Sequence, residues 1–421
     1  KNLYIYNRIQ PKSYLCIYEY VKKNFMYTLK EISDKKSERD FITLPIKLYK
    51  NNPYWIRPLD NDIKQIFNPV KNPYFKHGEC TRWVLYDNNQ CIGRIAAFIN
   101  YQTSHIDDYT VGQMGFFECI NNKDAAFLLF NTCRNWLENR GMEAMEGPVN
   151  FGERLHWWGL LTNGFDRCPN YAMPYTHSYY KDFFESYGFK DYFQQLTYRT
   201  HLVMDNLSRI VVWKSERLLR NPDYQILSYR DIGHKKAVLS LFDIYNQAWN
   251  PQTHGIDGMT LEQIETLYRK LRPILDKELI YFAYFKNRPI GFFIMFPEIN
   301  QLIKQMNGKM NFSGILKFYY YLRTKKVDTA LGQLFGIIPE FQGKGVEAAM
   351  ITRFCEIIIE RNSPYKYLEM NWIGDFNPQM IHLMQYIGAK RVKTHITYRK
   401  LFRENIPFSR KADFQKNRTK N

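Results

Sequence analysis

The sequence predicts an α/β protein made of two copies of one unit. A strand, a glycine-containing loop and a helix follow one another around Gln342. A hairpin stands at the same place in each half. A set of matching residues recurs 200 positions apart: Gly188-Phe189-Lys190 against Gly388-Ala389-Lys390, and Thr197-Tyr198-Arg199 against Thr397-Tyr398-Arg399. Order and spacing that recur together point to an internal duplication.

In the first half, Trp83 to Tyr86 and Cys91 to Ile99 read as strands joined by a turn at Asp87-Asn88-Asn89-Gln90. Gly112 to Ile120 is a third strand. Ala125 to Asn139 is a helix with apolar Phe127, Phe130, Cys133 and Leu137 on one side, and Gly141 ends it. A loop-rich stretch after Gly147-Pro148-Val149-Asn150 leads to a helix over Tyr179 to Tyr187. Gly188 stops that helix, and Phe189 to Leu202 reads as a strand pair.

The second half repeats the order. Ile280 to Phe285 and Ile290 to Phe296 form the hairpin, with Gly291 in the place of Gly93. Leu334 to Ile338 is an apolar strand that Pro339 stops. Tyr365 to Ile373 is the next strand. A short helix starts after Asn377-Pro378 and ends at Gly388, and Ala389 to Phe402 reads as a final strand pair.

The halves are expected over residues 26–205 and 223–402, joined by a linker at 206–222. Residues 1–25 stand apart as a Tyr- and Lys-rich extension, and 403–421 as a basic tail with six basic and two acidic residues.

Composition narrows the partners. The chain has 421 residues, 45% of them hydrophobic, which is enough for packed cores and argues against disorder. A net charge of +18, from 59 basic and 41 acidic residues, favours polyanions: cofactor phosphates, an acidic carrier protein, anionic lipid or nucleic acid. No helix-turn-helix or RNA-binding signature accompanies the charge, so nucleic acid is not expected. The seven cysteines lack C-x-x-C or zinc-ligand spacing, which predicts free thiols in a reducing compartment and no metal. No apolar run reaches the roughly 18 residues of a membrane span, and the N-terminus lacks the pattern of a signal peptide. The expected location is cytoplasmic, with peripheral membrane contact open.

The chemistry centres on Gln342-Gly343-Lys344-Gly345-Val346. Glycines let a backbone approach a ligand closely, and the first N–H groups of a helix have no internal partner. The helix dipole adds partial positive charge there, so a pyrophosphate suits the turn. An ordinary strand-to-helix turn fits the same residues. The first half has Asn121-Asn122-Lys123-Asp124 at this place, so one working site is expected, in the second half.

Here the second half resembles the GNAT superfamily of N-acyltransferases, whose Gln/Arg-x-x-Gly-x-Gly/Ala loop cradles the pyrophosphate of coenzyme A. Gln342, Gly343, Lys344, Gly345 and Val346 match that pattern, and Glu347 departs from it at the last position. From about Met26 to Phe402 the chain resembles a bacterial group of tandem GNAT proteins. The phrases that carry this are Gly147 to Phe151, Gly159-Leu160-Leu161 with Gly164-Phe165, Tyr245-Asn246 with Ala248-Trp249, and Pro297-Glu298 with Asn300.

The resemblance implies mixed, mostly antiparallel sheets flanked by helices. It implies acetyl-CoA or a longer acyl-CoA as co-substrate and a primary amine as acceptor. A small amine and a lipid amine, as in the ceramide synthases of the superfamily, are both open. So is a non-catalytic acyl-CoA-binding module.

By the same layout the strand at Tyr367 to Ile373 splays from the central strand to admit the thioester arm, and backbone N–H groups at Ile337 and Ile338 orient that arm. Asn377 stands where the family often has an Asn before its last helix, although Asn followed by Pro is also a normal helix start. The position of a frequent family acid, a Tyr seven residues later, holds Met384, with Tyr386 two positions off.

Glu369 and Glu298 are the candidate general bases, each also readable as a surface or salt-bridged residue. His254 and Asp257 would shape the acceptor site, and His382 would face solvent or pack on the last helix. Added bulk and charge at Gly345 would stand beside phosphate. Residues 300–327 form an insert that alternates Lys and Arg with Ile315, Leu316, Phe318 and Tyr319 to Tyr321. It is readable as a basic amphipathic piece for an anionic membrane or acidic carrier, or as a helix packed on the domain.

Overall fold

The computed structural model describes residues 27–105, 109–248, 258–324, 327–403 and 407–411. The first half runs β1 (Tyr27–Glu31), α1 (Lys35–Leu48), α2 (Asp60–Ile66), β2 (Gly78–Asp87), β3 (Gln90–Asn100), β4 (Val111–Cys119), α3 (Lys123–Glu138), β5 (Ala144–Gly147), β6 (Leu160–Asn163), α4 (Tyr180–Tyr187) and β7 (Lys190–His201). The expected linker 206–222 is not a bare connector, because it contains α5 (Arg209–Leu219).

The second half follows with β8 (Tyr224–Ser228), α6 (Tyr229–Ala248), α7 (Leu261–Leu271), β9 (Ile280–Phe285) and β10 (Arg288–Pro297). Then come α8 (Asn300–Ile303), α9 (Phe312–Arg323), β11 (Thr329–Ile337), α10 (Val346–Glu360), β12 (Tyr367–Gly374), α11 (Pro378–Tyr386) and β13 (Lys390–Leu401).

Local chemistry explains the boundaries. The hairpins β2–β3 and β9–β10 turn on residue pairs with positive φ, Asn88-Asn89 (44° and 65°) and Lys286-Asn287 (48° and 64°). Two such residues give the tight turn whose twist matches the flanking strands. The Asn122 side chain accepts from Ala125 N at 2.9 Å and starts α3. Gly188, at φ 94°, ends α4. Buried Phe130, Cys133 and Leu137 form the inner face of α3, with Phe127 half-buried beside them.

The predicted strand pairs at Phe189 to Leu202 and Ala389 to Phe402 are each one long strand, β7 and β13. Neither stretch contains the Gly, Pro or Asn that a reversal needs.

The strands make one sheet in the order β1-β2-β3-β4-β5-β13-β7-β12-β11-β10-β9-β8, with β6 against β13. Neighbours are antiparallel except β4 with β5 and β11 with β12. The order reads the same way inward from either end, so the two halves are related by a pseudo-twofold between β13 and β7. At that centre the halves exchange strands: β7 pairs with β12 of the second half, and β13 pairs with β5 of the first. The Gln342 loop and everything around it therefore sit in a sheet completed by the other half.

Three large buried clusters hold the layers, with a small fourth at Tyr49, Leu161 and Tyr175. In the first half, Ile95, Phe117, Phe130 and Phe184 pack under α3 and α4, while Phe41, Phe98, Phe151 and Trp158 pack on the face of α1. In the second half, Phe282, Phe292, Met350 and Phe354 join α6 and α10 to the sheet.

Strand exchange makes a prediction. Residues 206–421 expressed alone leave β12 without β7 and β13 without either neighbour, so long unpaired edges are exposed. That fragment is expected to aggregate or to melt without cooperativity. Co-expression with residues 26–205 is expected to give a soluble complex with one cooperative transition by circular dichroism. A soluble, cooperatively melting fragment would contradict the exchange.

Candidate active site

The turn before α10 leaves the first amides of that helix without a side-chain cap among the described residues. Gly343 and Gly345 have φ of 73° and 94°, in the left-handed region. Gly345 is the N-cap of α10, and among the described residues no side chain caps that end. The first amides of a 15-residue helix are thus left for a ligand, with the dipole behind them. A Cβ on Gly343 would meet nothing within 4 Å, whereas one on Gly345 would lie 3.6 Å from Lys214 of α5. The open side of the turn is therefore at Gly343. Gln342 donates from Nε2 to the Ile337 carbonyl at 2.9 Å and pins the loop to the end of β11. Lys344 is exposed, its ammonium 5.0 Å from the centre of the Phe341 ring. The Glu347 Oε2 is withdrawn from solvent and has no hydrogen-bond donor among the described residues.

Beside the turn the sheet opens. β11 and β12 pair from Thr329 with Tyr367 to Gly332 with Met370 and then separate, although β11 runs on to Ile337 and β12 to Gly374. Across β11, the Ile338 N–H donates to the Ile290 carbonyl at 3.0 Å, so Ile338 is not available as a donor. Backbone groups alternate along a strand, which turns those of Ile337 toward the opening. The same separation of β4 from β5 in the first half is filled. Val149 N donates to the Met114 carbonyl at 2.9 Å, and a Cβ on Gly115 would lie 1.8 Å from the Val149 carbonyl oxygen. Asn122 caps the helix that corresponds to α10. Only the second half keeps both the opening and the uncapped helix.

The two candidate carboxylates meet in a cleft of about 760 Å³ that both halves line. Glu369 lies opposite Leu331, one residue before the last paired residue of β12. Glu298 follows β10, and its N–H donates to the Thr329 carbonyl at 2.9 Å. Asn170, from the first half and 2% exposed, joins them. Its Nδ2 donates to Glu298 Oε2 at 2.7 Å and to Glu369 Oε2 at 2.6 Å. Its Oδ1 accepts from Lys393 Nζ at 2.9 Å, so the amide is fully used.

The environments of the two acids differ. Glu369 faces two cations, Arg199 Nη1 at 2.5 Å and Lys393 Nζ at 3.3 Å. Among the described residues Glu298 receives only neutral donors, Asn170 Nδ2 and the backbone N–H groups of Tyr171 and Asn300, each of the latter at 3.0 Å. Burial therefore dominates at Glu298 and raises its carboxyl to about 7. At Glu369 burial also pushes upward, but the Lys393 charge, the Asn170 bond and Arg199 together hold it below the usual carboxylate range. Two neighbouring carboxyls driven apart in this way suit one to exchange a proton near neutral pH and the other to stay ionised.

Asn170, Arg199 and Lys393 were not singled out from the sequence. Arg199 had a signal in the repeated Thr-Tyr-Arg. Its counterpart Arg399 pairs with Glu146 at 2.7 Å, but both are buried and Tyr109 and Tyr192 close over them. Lys393 is aimed by a bulge in β13 between Arg391 and Lys393. Asn170 lies in a loop with no pattern to mark it.

Asn377 is a helix cap, its side chain accepting from Met380 N at 3.2 Å. Met384 is fully buried and Tyr386 is exposed beside Lys214, so neither offers an acid to the cleft. His382 is exposed on α11. His254 and Asp257 lie outside the described residues. Among the described residues, no group of three or more His, Cys, Asp or Glu is placed to hold a metal ion.

Comparison with known proteins agrees with this layout. No protein-family model matches the chain. It is 26% identical over 374 residues to Protein YghO of Escherichia coli, covering 87% of this chain and 93% of that protein. It is also 26% identical over 367 residues to a bacterial ceramide synthase of Caulobacter vibrioides, covering 86% and 94%. Among solved structures, a tandem GNAT protein from the clavulanic acid biosynthesis pathway superposes with a TM-score of 0.51 at 9% identity. It covers 90% of this chain and all of that one. The GCN5-related glucosamine N-acetyltransferase region of a fungal β-N-acetylglucosaminidase superposes at 0.52 and 11%, covering 89% of this chain and 38% of that one. With its mixed sheet, its paired halves and its splayed strand pair, the chain has the fold of the tandem GNAT proteins.

Proposed function

We propose that the chain transfers an acyl group from acyl-CoA to a primary amine, at a site in the C-terminal half completed by Asn170 and Arg199 of the N-terminal half. One observation carries the reading. The uncapped amides at Gly343 to Val346 and the opening between β11 and β12 stand at one end of β11, and a buried carboxyl at about 7 stands at its other end, all in one half.

The donor diphosphate rests on the α10 amides, and its pantetheine arm enters the opening along β11. The Ile337 amide faces that arm. The acceptor amine enters the cleft. An amine with the basicity of lysine is free base on the order of once in a thousand molecules at pH 7, so a proton acceptor is needed. Glu298 takes that proton. Glu369, held ionised by Lys393 and Arg199, fixes Asn170, and Asn170 orients Glu298. The amine nitrogen forms its bond to the thioester carbon, the carbon–sulfur bond breaks, and the thiolate leaves. A thiol with an ordinary pKa near 8.5 is a good enough leaving group to depart without a dedicated acid. The likeness to a bacterial ceramide synthase supports a lipid amine as acceptor.

The test is transfer itself. Purified protein is given acetyl-CoA or a long-chain acyl-CoA with short and long primary amines, and both released thiol and acylated amine are followed by mass spectrometry. Amide formation equal to thiol release supports the reading. Acyl-CoA binding without any transfer would turn it into a binding module.

A further inference from the structure

We infer that the insert between β10 and β11 is a membrane-docking element, and that α9 lies in the headgroup layer of an anionic leaflet. Helix α9 has a narrow buried side, Gly314 and Phe318. Its outer side carries Phe312 (78% exposed), Ile315, Leu316 (56%), Tyr319 and Tyr320 (61%). At 3.6 residues per turn these five fall within roughly 140° of one another on the helix surface. A soluble helix turns such an arc inward. Here it faces out and contains both aliphatic and aromatic side chains, the composition of a helix that lies at a membrane interface.

Charge commits the surface to an anionic leaflet. Between Glu298 and Asp328 the sequence has no acidic residue, while Lys304, Lys309, Lys317, Arg323, Lys325 and Lys326 are all basic. Lys317 is exposed beside the apolar arc, Lys309 is exposed just before the helix, and Arg323 is exposed at its C-terminal end. Basic residues at the edge with apolar ones at the centre suit lipid, whose headgroups meet the edge while the acyl chains take the centre. An acidic carrier protein would require the cations at the centre of the contact.

The placement joins this surface to the site. Asn300 donates its N–H to Glu298, and Gln301 and Lys304 of the same insert line the cleft. An amine dissolved in the leaflet could thus reach the cleft along the insert. That last step rests on the acyl-transfer reading, whereas docking does not.

The experiment is flotation of the full chain with vesicles of phosphatidylcholine, or of phosphatidylcholine mixed with phosphatidylglycerol. The wild type is expected to float with the anionic vesicles and much less with the neutral ones. Phe312→Ser/Leu316→Ser/Tyr320→Ser is expected to lose at least about tenfold in vesicle affinity, as these residues supply the inserted surface. Lys309→Glu/Lys317→Glu/Arg323→Glu should lose the preference for anionic lipid, and serves alone if the serine variant does not fold. Both are expected to acylate a short soluble amine at the wild-type rate. Vesicle binding with no transfer to any amine would remove the acyl-transfer reading and leave docking intact. Failure of the wild type to float, wild-type flotation of the variants, or capture by an acidic acyl carrier protein in place of vesicles would overturn the inference.

Discussion

Glu298→Gln is expected to lower kcat by about 10²- to 10⁴-fold, the usual worth of a positioned general base. Donor affinity is expected to stay at the wild-type value, because the diphosphate turn is built by other residues. Gln keeps the shape, and its Oε1 can still accept from Tyr171 N and Asn300 N as Glu298 Oε1 does. What it loses is the proton acceptor, together with the bond from Asn170 Nδ2, which the Gln Nε2 cannot accept.

The wild-type rate is expected to rise with pH and level off above about 7, as burial of Glu298 delays its ionisation to that value. Stability runs the other way. A carboxyl raised from 4.5 to about 7 on folding contributes stability that is present below 4.5 and lost as pH rises through 7. The shift corresponds to about 3 kcal/mol. The melting temperature of the Gln variant should therefore improve relative to wild type between pH 5 and pH 8. A variant with full activity, or a flat wild-type profile, would remove Glu298 from the reaction.

Gly343→Asp is expected to weaken acyl-CoA binding about 100-fold or more relative to Gly343→Asn. The new side chain would occupy the space where Gly343 has no neighbour within 4 Å. A carboxylate about 5 Å from a phosphate repels it by about 3 kcal/mol at the dielectric usual for protein surfaces, which is a factor of roughly 100. Asn has the same shape, and both residues tolerate the positive φ that this position requires. The comparison thus isolates charge from strain, and calorimetric titration of both variants with acetyl-CoA measures it. Equal affinities would place the diphosphate elsewhere.

The duplication, most helices and the Gln342 turn were legible because each has a local signature: spacing, apolar period, or a Gly or Asn at the right place. The exchange of β7 and β13 was not legible. Alternation tells which face of a strand is buried but does not name its neighbours. For the same reason Glu298 and Glu369 could be proposed singly but not as a pair, and Asn170 could not be found at all. Their meeting depends on a strand and a loop supplied by the other half. The uncapped state of α10 lay between these cases. Gly345 suggested it, and only the geometry showed that no side chain among the described residues closes that end.

The most direct measurement of the central claim is a crystal structure with coenzyme A. The account predicts the diphosphate within hydrogen-bonding distance of the amides from Gly343 to Val346, with the pantetheine arm between β11 and β12. A diphosphate bound at the Asn122-capped helix of the first half, or an arm that bypasses that opening, would contradict it.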